Sequence, residues 1–145
     1  AAGAYLAAAG ADVATLQYTL FKKQSKVRAL LYGETMSKMK FDFEDRFAYI
    51  VITREMLERH DADQGATEGF VDFPLSVDGV EICASIMEVK KGQYKISLRS
   101  KMYADVNKLA GTFGGGGHVR AAGCMLSGDL YEVIDRLSYA VSQYL

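Results

Sequence analysis

From Val80 to Lys101 the hydrophobic pattern has a period of two, and this restricts the fold more than any other feature of the chain. Val80, Ile82, Ala84 and Ile86 share one parity, with Glu81, Cys83, Ser85 and Met87 on the other. Lys90-Lys91-Gly92-Gln93 is a turn signal. The alternation then resumes. Tyr94, Ile96 and Leu98 point to a core, while Lys95, Ser97, Arg99 and Lys101 share the opposite face. The pattern predicts a β-hairpin whose second strand has one polar, cationic face.

The flanking sequence adds strands and helices. Phe47 to Ile52 is continuously apolar and partly β-branched, as in a strand buried on both faces. Thr53 is a candidate N-cap for a short helix over 54–59, and residues 60–69 read as a polar loop. Phe70 to Val77 is ambiguous and holds the only proline, Pro74. Asp105 is a second N-cap candidate, and 121–126 is predicted as a short strand. Asp129 and Glu132 form an acidic capping box ahead of the stripe Leu130, Val133, Ile134, Leu137 and Val141. The first 40 residues read as helical, through Leu16, Leu20, Val27, Leu30 and Leu31. Gly10 and Gly33 are expected to break that region into two or three short helices. The fold class is therefore α/β, a mixed sheet of about five strands flanked by helices and preceded by a short helical segment.

The chain has 145 residues, within the range of one domain, and 50% hydrophobic content is enough for a real core. No apolar run approaches the ~20 residues that span a bilayer, so no membrane is expected as a partner. The start, AAGAYLAAAGA, lacks the basic region of a signal peptide and a Met, and reads as the start of a fragment. Cys83 and Cys124 lie in apolar stretches and are expected as reduced core thiols of a cytoplasmic protein. With two Cys and two His, a structural zinc site is not expected. His60-Asp61-Ala62-Asp63 superficially resembles a metal cluster but reads as a solvated loop.

The net charge of -1 does not support a strongly basic nucleic-acid clamp, yet charge is unevenly distributed. Residues 42–88 carry three basic and twelve acidic groups, whereas residues 89–145 carry eight basic and four acidic. The stretch 90–101 holds Lys90, Lys91, Lys95, Arg99 and Lys101 with no acid. Such a stretch is either a solvated hairpin or a local anion site.

Six glycines fall between 111 and 123, and Gly114 to Gly117 are consecutive. Four glycines are entropically costly to order, so the backbone there is expected to approach something closely. Consecutive glycine N–H groups can form an anion nest. His118 follows directly and Arg120 lies two residues on. No GxGxxG opens a helix after a strand, and no GK[ST] follows the glycines.

At these residues a family resemblance emerges. Phe113-Gly114-Gly115-Gly116-Gly117-His118-Val119-Arg120-Ala121-Ala122-Gly123 resembles the GGGGHxxAAG signature of the DHH-associated domain of DHH-family phosphoesterases. Ser97-Leu98-Arg99-Ser100 resembles its SLRS strand, Asp105 to Ala110 its DVNxIA helix start, and Glu68-Gly69-Phe70-Val71 its EGFV segment. Order and spacing agree over roughly residues 40–145. The chain is most similar to the nano-RNase, oligoribonuclease and pAp-phosphatase (NrnA-like) type.

The resemblance implies a two-domain enzyme. An N-terminal DHH domain would bind two divalent metals, usually manganese, and the DHH-associated domain would hold the substrate across a cleft. No Asp-His-His motif occurs in the sequence. Residues 1–38 are accordingly expected to be a helical remnant or linker, and 39–145 the substrate-binding domain. By the same resemblance Arg99, Ser100, Lys101, Asn107, Gly114, Gly115, Gly116, Gly117 and His118 would bind a short oligoribonucleotide or nucleotide phosphate. No catalytic or metal-binding residue and no cofactor is assigned to this chain. The DHH domain is the expected protein partner, with a homodimer left open. Two other readings stay open: a noncatalytic nucleic-acid-binding or oligomerisation module, and part of a RecJ-type exonuclease.

Overall fold

A computed structural model describes residues 13, 14 and 25–145 of the chain. Helix α1 (Lys26–Ser37) starts at Ser25, whose Oγ accepts from the Arg28 amide at 3.0 Å. It runs straight through Gly33, so the expected interruption at that residue is absent. Glycine inside a helix costs about 1 kcal/mol, but burial of Leu31 and Thr35 fastens this one to the sheet. Leu30 is 54% exposed and lies off the buried stripe. Leu16, Leu20 and Gly10 fall outside the described residues.

Strands β1 (Lys40–Asp42) and β2 (Phe47–Ile52) pair antiparallel around a turn in which Phe43, Glu44 and Asp45 all have positive φ. Thr53 caps α2 (Arg54–Arg59), its Oγ1 accepting from the Met56 amide at 3.2 Å. The expected loop contains a 3-10 turn, Gln64–Thr67, capped by Asp63. The ambiguous segment forms a short helix, α3 (Asp72–Leu75).

The hairpin forms as the alternation predicts. It comprises β3 (Ile82–Lys90) and β4 (Gln93–Ser100), with Ile86 opposite Ile96 and Cys83 opposite Arg99. Helix α4 (Val106–Gly111) follows with Asp105 as its cap. Then come β5 (Gly116–His118), β6 (Ala121–Ser127) and α5 (Leu130–Ser142), the last capped by Asp129.

The six strands form one mixed sheet in the order β1-β2-β3-β4-β6-β5. Only β2 and β3 run parallel, because the crossover through α2, the 3-10 turn and α3 returns the chain in the same direction. The six strands roughly match the expected count of about five; the short β5 is built largely from the glycine run.

Two apolar layers pack against the sheet. On one face Ile82, Ala84, Ile86, Ile96 and Leu98 pack with Leu109 of α4 and Val133, Leu137 and Val141 of α5. On the other, Leu31, Met56, Leu57 and Phe70 cover Ile50, Ile52 and Met87. This second layer lies over β2 and β3. Beyond it, alternate residues of β4 and β6 and all of β5 remain partly or fully exposed. The sheet therefore has one half-uncovered face, and the cationic parity of β4 lies on it.

Candidate functional site

The register determines which side chains share the open face. Arg99 pairs with Ala121, and Ala121 pairs with His118. Directly opposed residues of antiparallel strands project to the same side, so Arg99 and His118 straddle the small Ala121. Two strand spacings separate their backbones by about 10 Å. The next row is Ser97, Gly123 and Gly116. The floor between the two basic residues thus has almost no side chains, and a flat or elongated ligand can approach the sheet closely.

A wall rises where the floor meets the covered half. The 3-10 turn and the segment after it contribute Gln64, Thr67, Glu68 and Gly69 to a cleft of about 380 Å³. Ser85 and Met87 of β3 and Lys95, Ser97 and Arg99 of β4 form its other side. The Glu68–Val71 and Ser97–Ser100 segments, 29 residues apart in sequence, therefore meet across one cleft. Arg99 turns to Asp72 at the start of α3, with Nε 3.2 Å from Oδ1, and Nη1 donates to its own strand at Leu98 O, 3.0 Å.

The glycines have a local explanation. A Cβ on Gly115 would lie 2.1 Å from Gly123 O, and one on Gly117 would lie 2.6 Å from Ala121 O. Gly114 has φ +80°. What the backbone approaches is β6 itself. The Gly117 N–H donates to Asn107 Oδ1 at 2.9 Å, so Asn107 ties β5 to α4 and occupies one donor expected for an anion. Gly115→Ala is expected to cost about 1–3 kcal/mol by overpacking against β6. Urea unfolding measures this, and a change under ~0.5 kcal/mol would contradict that packing.

The remaining expected side chains engage neighbouring loops. Ser100 is 4% exposed; its Oγ donates to Ala104 O at 2.6 Å and accepts from Arg120 Nη1 at 3.1 Å. Lys101 Nζ reaches Val77 O at 3.3 Å. Arg120 clasps the carbonyls of Met102 and Ala104. The structure thus brings Arg99, His118 and Gly116 to one face and uses Ser100, Lys101 and Asn107 to hold the surrounding loops.

Sequence reasoning left Lys95, Ser97 and Glu68 out of the site. Strand parity was the available signal for the first two. Glu68 arrives through the crossover, and no local pattern encodes that approach.

His60 is not a solvated loop residue. It caps α2, and its Nε2 lies 2.7 Å from Glu34 Oε1 on α1. Hydrogen bonds from Arg59, then Lys38 and His60, hold the Glu34 carboxyl well below the usual carboxylate range. Among the described residues no group of three or more His, Cys, Asp or Glu is arranged to hold a metal, so the donor set of a two-metal centre does not fit here. Burial pushes the Cys83 thiol up to about 12 and the Cys124 thiol to about 11, which leaves both unreactive at neutral pH. Among the described residues no helix is long and apolar enough to cross a membrane.

The DHHA1 domain model matches residues 44–145, and the chain belongs to that family. It is 31% identical over 116 residues to the bifunctional oligoribonuclease and PAP phosphatase NrnA of Thermus thermophilus, covering 79% of this chain and 34% of that protein. It is 32% identical over 76 residues to the probable bifunctional oligoribonuclease and PAP phosphatase NrnA of Streptococcus mutans, covering 52% of this chain and 24% of that protein. The crystal structure of an exopolyphosphatase-related protein from Bacteroides fragilis superposes with a TM-score of 0.83 at 33% identity. That match covers 96% of this chain and 41% of the other. The chain thus spans about a quarter to a third of the two curated relatives' length.

Proposed function

We propose that this chain is the substrate-recognition domain of a metal-dependent DHH-family phosphoesterase that acts on short RNA, pAp or dinucleotides. The observation that carries the proposal is the Arg99-Ala121-His118 row beside the cleft, with Arg99 and His118 flanking a nearly bare floor. Arg99 can donate two parallel hydrogen bonds to a phosphate, and the imidazole of His118 can donate a third. Gly116, Gly123 and Ser97 leave room for sugar or base against the backbone. The names of the two NrnA relatives support oligoribonucleotide and PAP chemistry for proteins containing such a domain. Manganese and the residues that activate water are assigned to a DHH partner domain. Two free, buried thiols agree with a cytoplasmic setting.

In a titration with labelled, 5′-phosphorylated short RNA, Arg99→Ala is expected to weaken binding by about 1.5–3 kcal/mol, the scale of a charged hydrogen bond. The same chain incubated with manganese should release no mononucleotide. Turnover that survives repurification and disappears in His118→Ala would overturn this assignment, as would an Arg99 variant that binds like wild type.

A further inference from the structure

We infer that Asp72 is a positioning residue, which holds the Arg99 guanidinium by its Nε–H so that the fork of Nη1 and Nη2 meets a phosphate already oriented. The inference rests on the reading above, in which Arg99 contacts the ligand, and adds a residue to it. Asp72 opens α3, and its Oδ1 lies 3.2 Å from Arg99 Nε. Arg99 Nη1 donates to Leu98 O at 3.0 Å. A guanidinium has five N–H groups. These bonds use the one on Nε and one on Nη1. Nη1 keeps its other hydrogen and Nη2 keeps both of its own, and that fork matches a pair of phosphate oxygens. Asp72 therefore engages a different edge from the one left for phosphate, and the ligand need not displace it.

The carboxylate stands on a buried support. Val71, the residue before it, packs with Ala48, Val80 and Cys83. The Cys83 thiol donates to Val71 O at 3.1 Å, and burial keeps that thiol protonated at neutral pH. Cys83 is also the residue opposite Arg99 in the β3–β4 register, so the two project to the same side of the sheet. One strand pair thus carries both the arginine and the anchor of its partner. Asp72 itself is 65% exposed, and an ion pair so open to water adds little to stability. Its effect is on the freedom of the guanidinium. An unheld arginine loses rotamer entropy when the ligand arrives, whereas a held one has lost it on folding. Lys95 and Glu68 line the same cleft, and Arg28 lies beside Gly69 with Nη1 on Ala66 O at 2.7 Å and its guanidinium over the Phe70 ring. These charges are common to wild type and to the Asp72 variants below, so they cancel in the comparison.

Asp72→Ala and Asp72→Asn both remove the charge, but only asparagine leaves an oxygen for the Nε–H. The first readout is the arginine Nε–H region of a heteronuclear NMR spectrum of the ligand-free chain, with Arg99→Ala identifying the Arg99 signal. That signal should exchange slowly with water in wild type and Asp72→Asn, and broaden or vanish in Asp72→Ala. The second is a titration with 5′-phosphorylated diadenylate at fixed ionic strength. Asp72→Asn should bind at least as tightly as wild type, because a repelling charge is gone. It should bind roughly three- to tenfold more tightly than Asp72→Ala, the scale of immobilising one long side chain. A protected Arg99 Nε–H in Asp72→Ala overturns the inference, and so does an alanine variant that binds as tightly as the asparagine one. If Arg99→Ala weakens the dinucleotide while the two Asp72 variants coincide, the binding reading stands and the positioning role fails. If wild type binds no dinucleotide, or Arg99→Ala binds it like wild type, the binding reading fails and the positioning role with it.

Discussion

Leu137→Ala is expected to lower the free energy of unfolding by about 2–5 kcal/mol, the usual cost of truncating a fully buried leucine. Leu137 is 1% exposed and lies between Val133 and Val141 on the inner face of α5. Its layer includes Ile86 and Ile96 of the hairpin and Leu126 of β6, so the cavity would open under the strands that carry the candidate site. The β-strands beneath it limit collapse into the void. Tyr139, on the same helix, is 72% exposed, and Tyr139→Ala should stay within about 0.5 kcal/mol. Urea unfolding of the pair distinguishes core from surface. An equal midpoint shift for both variants would remove α5 from the core.

The α5 stripe was legible because helical periodicity is local, and the hairpin was legible for the same reason. Thr53, Asp105 and Asp129 each cap the helix their sequence positions indicate. Long-range placement was less legible. The glycine run suggests close approach, and at Gly115 and Gly117 the backbone closely approaches β6. The partner strand is only a two-residue turn away, but glycines carry no side-chain alternation that would mark 116–118 as a strand. Parity marks the polar face of β4 that carries Arg99, whereas the position of His118 on the same face follows from the β4-β6-β5 register, which the sequence does not show. Ser100 falls on the opposite parity from Arg99, and that alternation already pointed it away from the open face. The Arg99–Asp72 pair and the Glu68 wall depend on how the β2–β3 crossover folds back. Neither periodicity nor motif spacing encodes that path.

Glu81→Ala is expected to cost about 3–5 kcal/mol, comparable with breaking a buried ion pair. The Glu81 side chain precedes β3, is 5% exposed and anchors the loop that leaves β4. Its Oε2 accepts from the Tyr103 and Ala104 amides at 2.9 Å, and both carboxylate oxygens lie 3.1 Å from the Met102 amide. Arg120 holds the same loop from the other side through the carbonyls of Met102 and Ala104. Alanine would leave three amides without their acceptor and Arg120 without its nearby counter-charge. Burial raises the Glu81 pKa, but the three backbone hydrogen bonds and Arg120 outweigh it, so the group lies below its usual range. A depressed carboxylate pKa stabilises the fold above the unfolded value of about 4.3, and the contribution is lost as pH falls through the folded value. The stability gap between wild type and Glu81→Gln should therefore be constant above about pH 6 and shrink below about pH 4. Glu34 is depressed as well, so acid alone destabilises both proteins, and only the difference between them isolates Glu81. Hydrogen exchange provides the local readout. The amides of residues 102–104 should lose protection in Glu81→Gln before those of β3 and β4 do. A gap that stays flat from pH 7 to pH 3, with unchanged protection in the loop, would show that the carboxylate is not the anchor. The loop joins Ser100 to α4, and Arg120 lies in the β5–β6 turn two residues from His118. Loosening it should therefore also weaken short-RNA binding at the His118 edge of the open face, although Glu81 lies off that face.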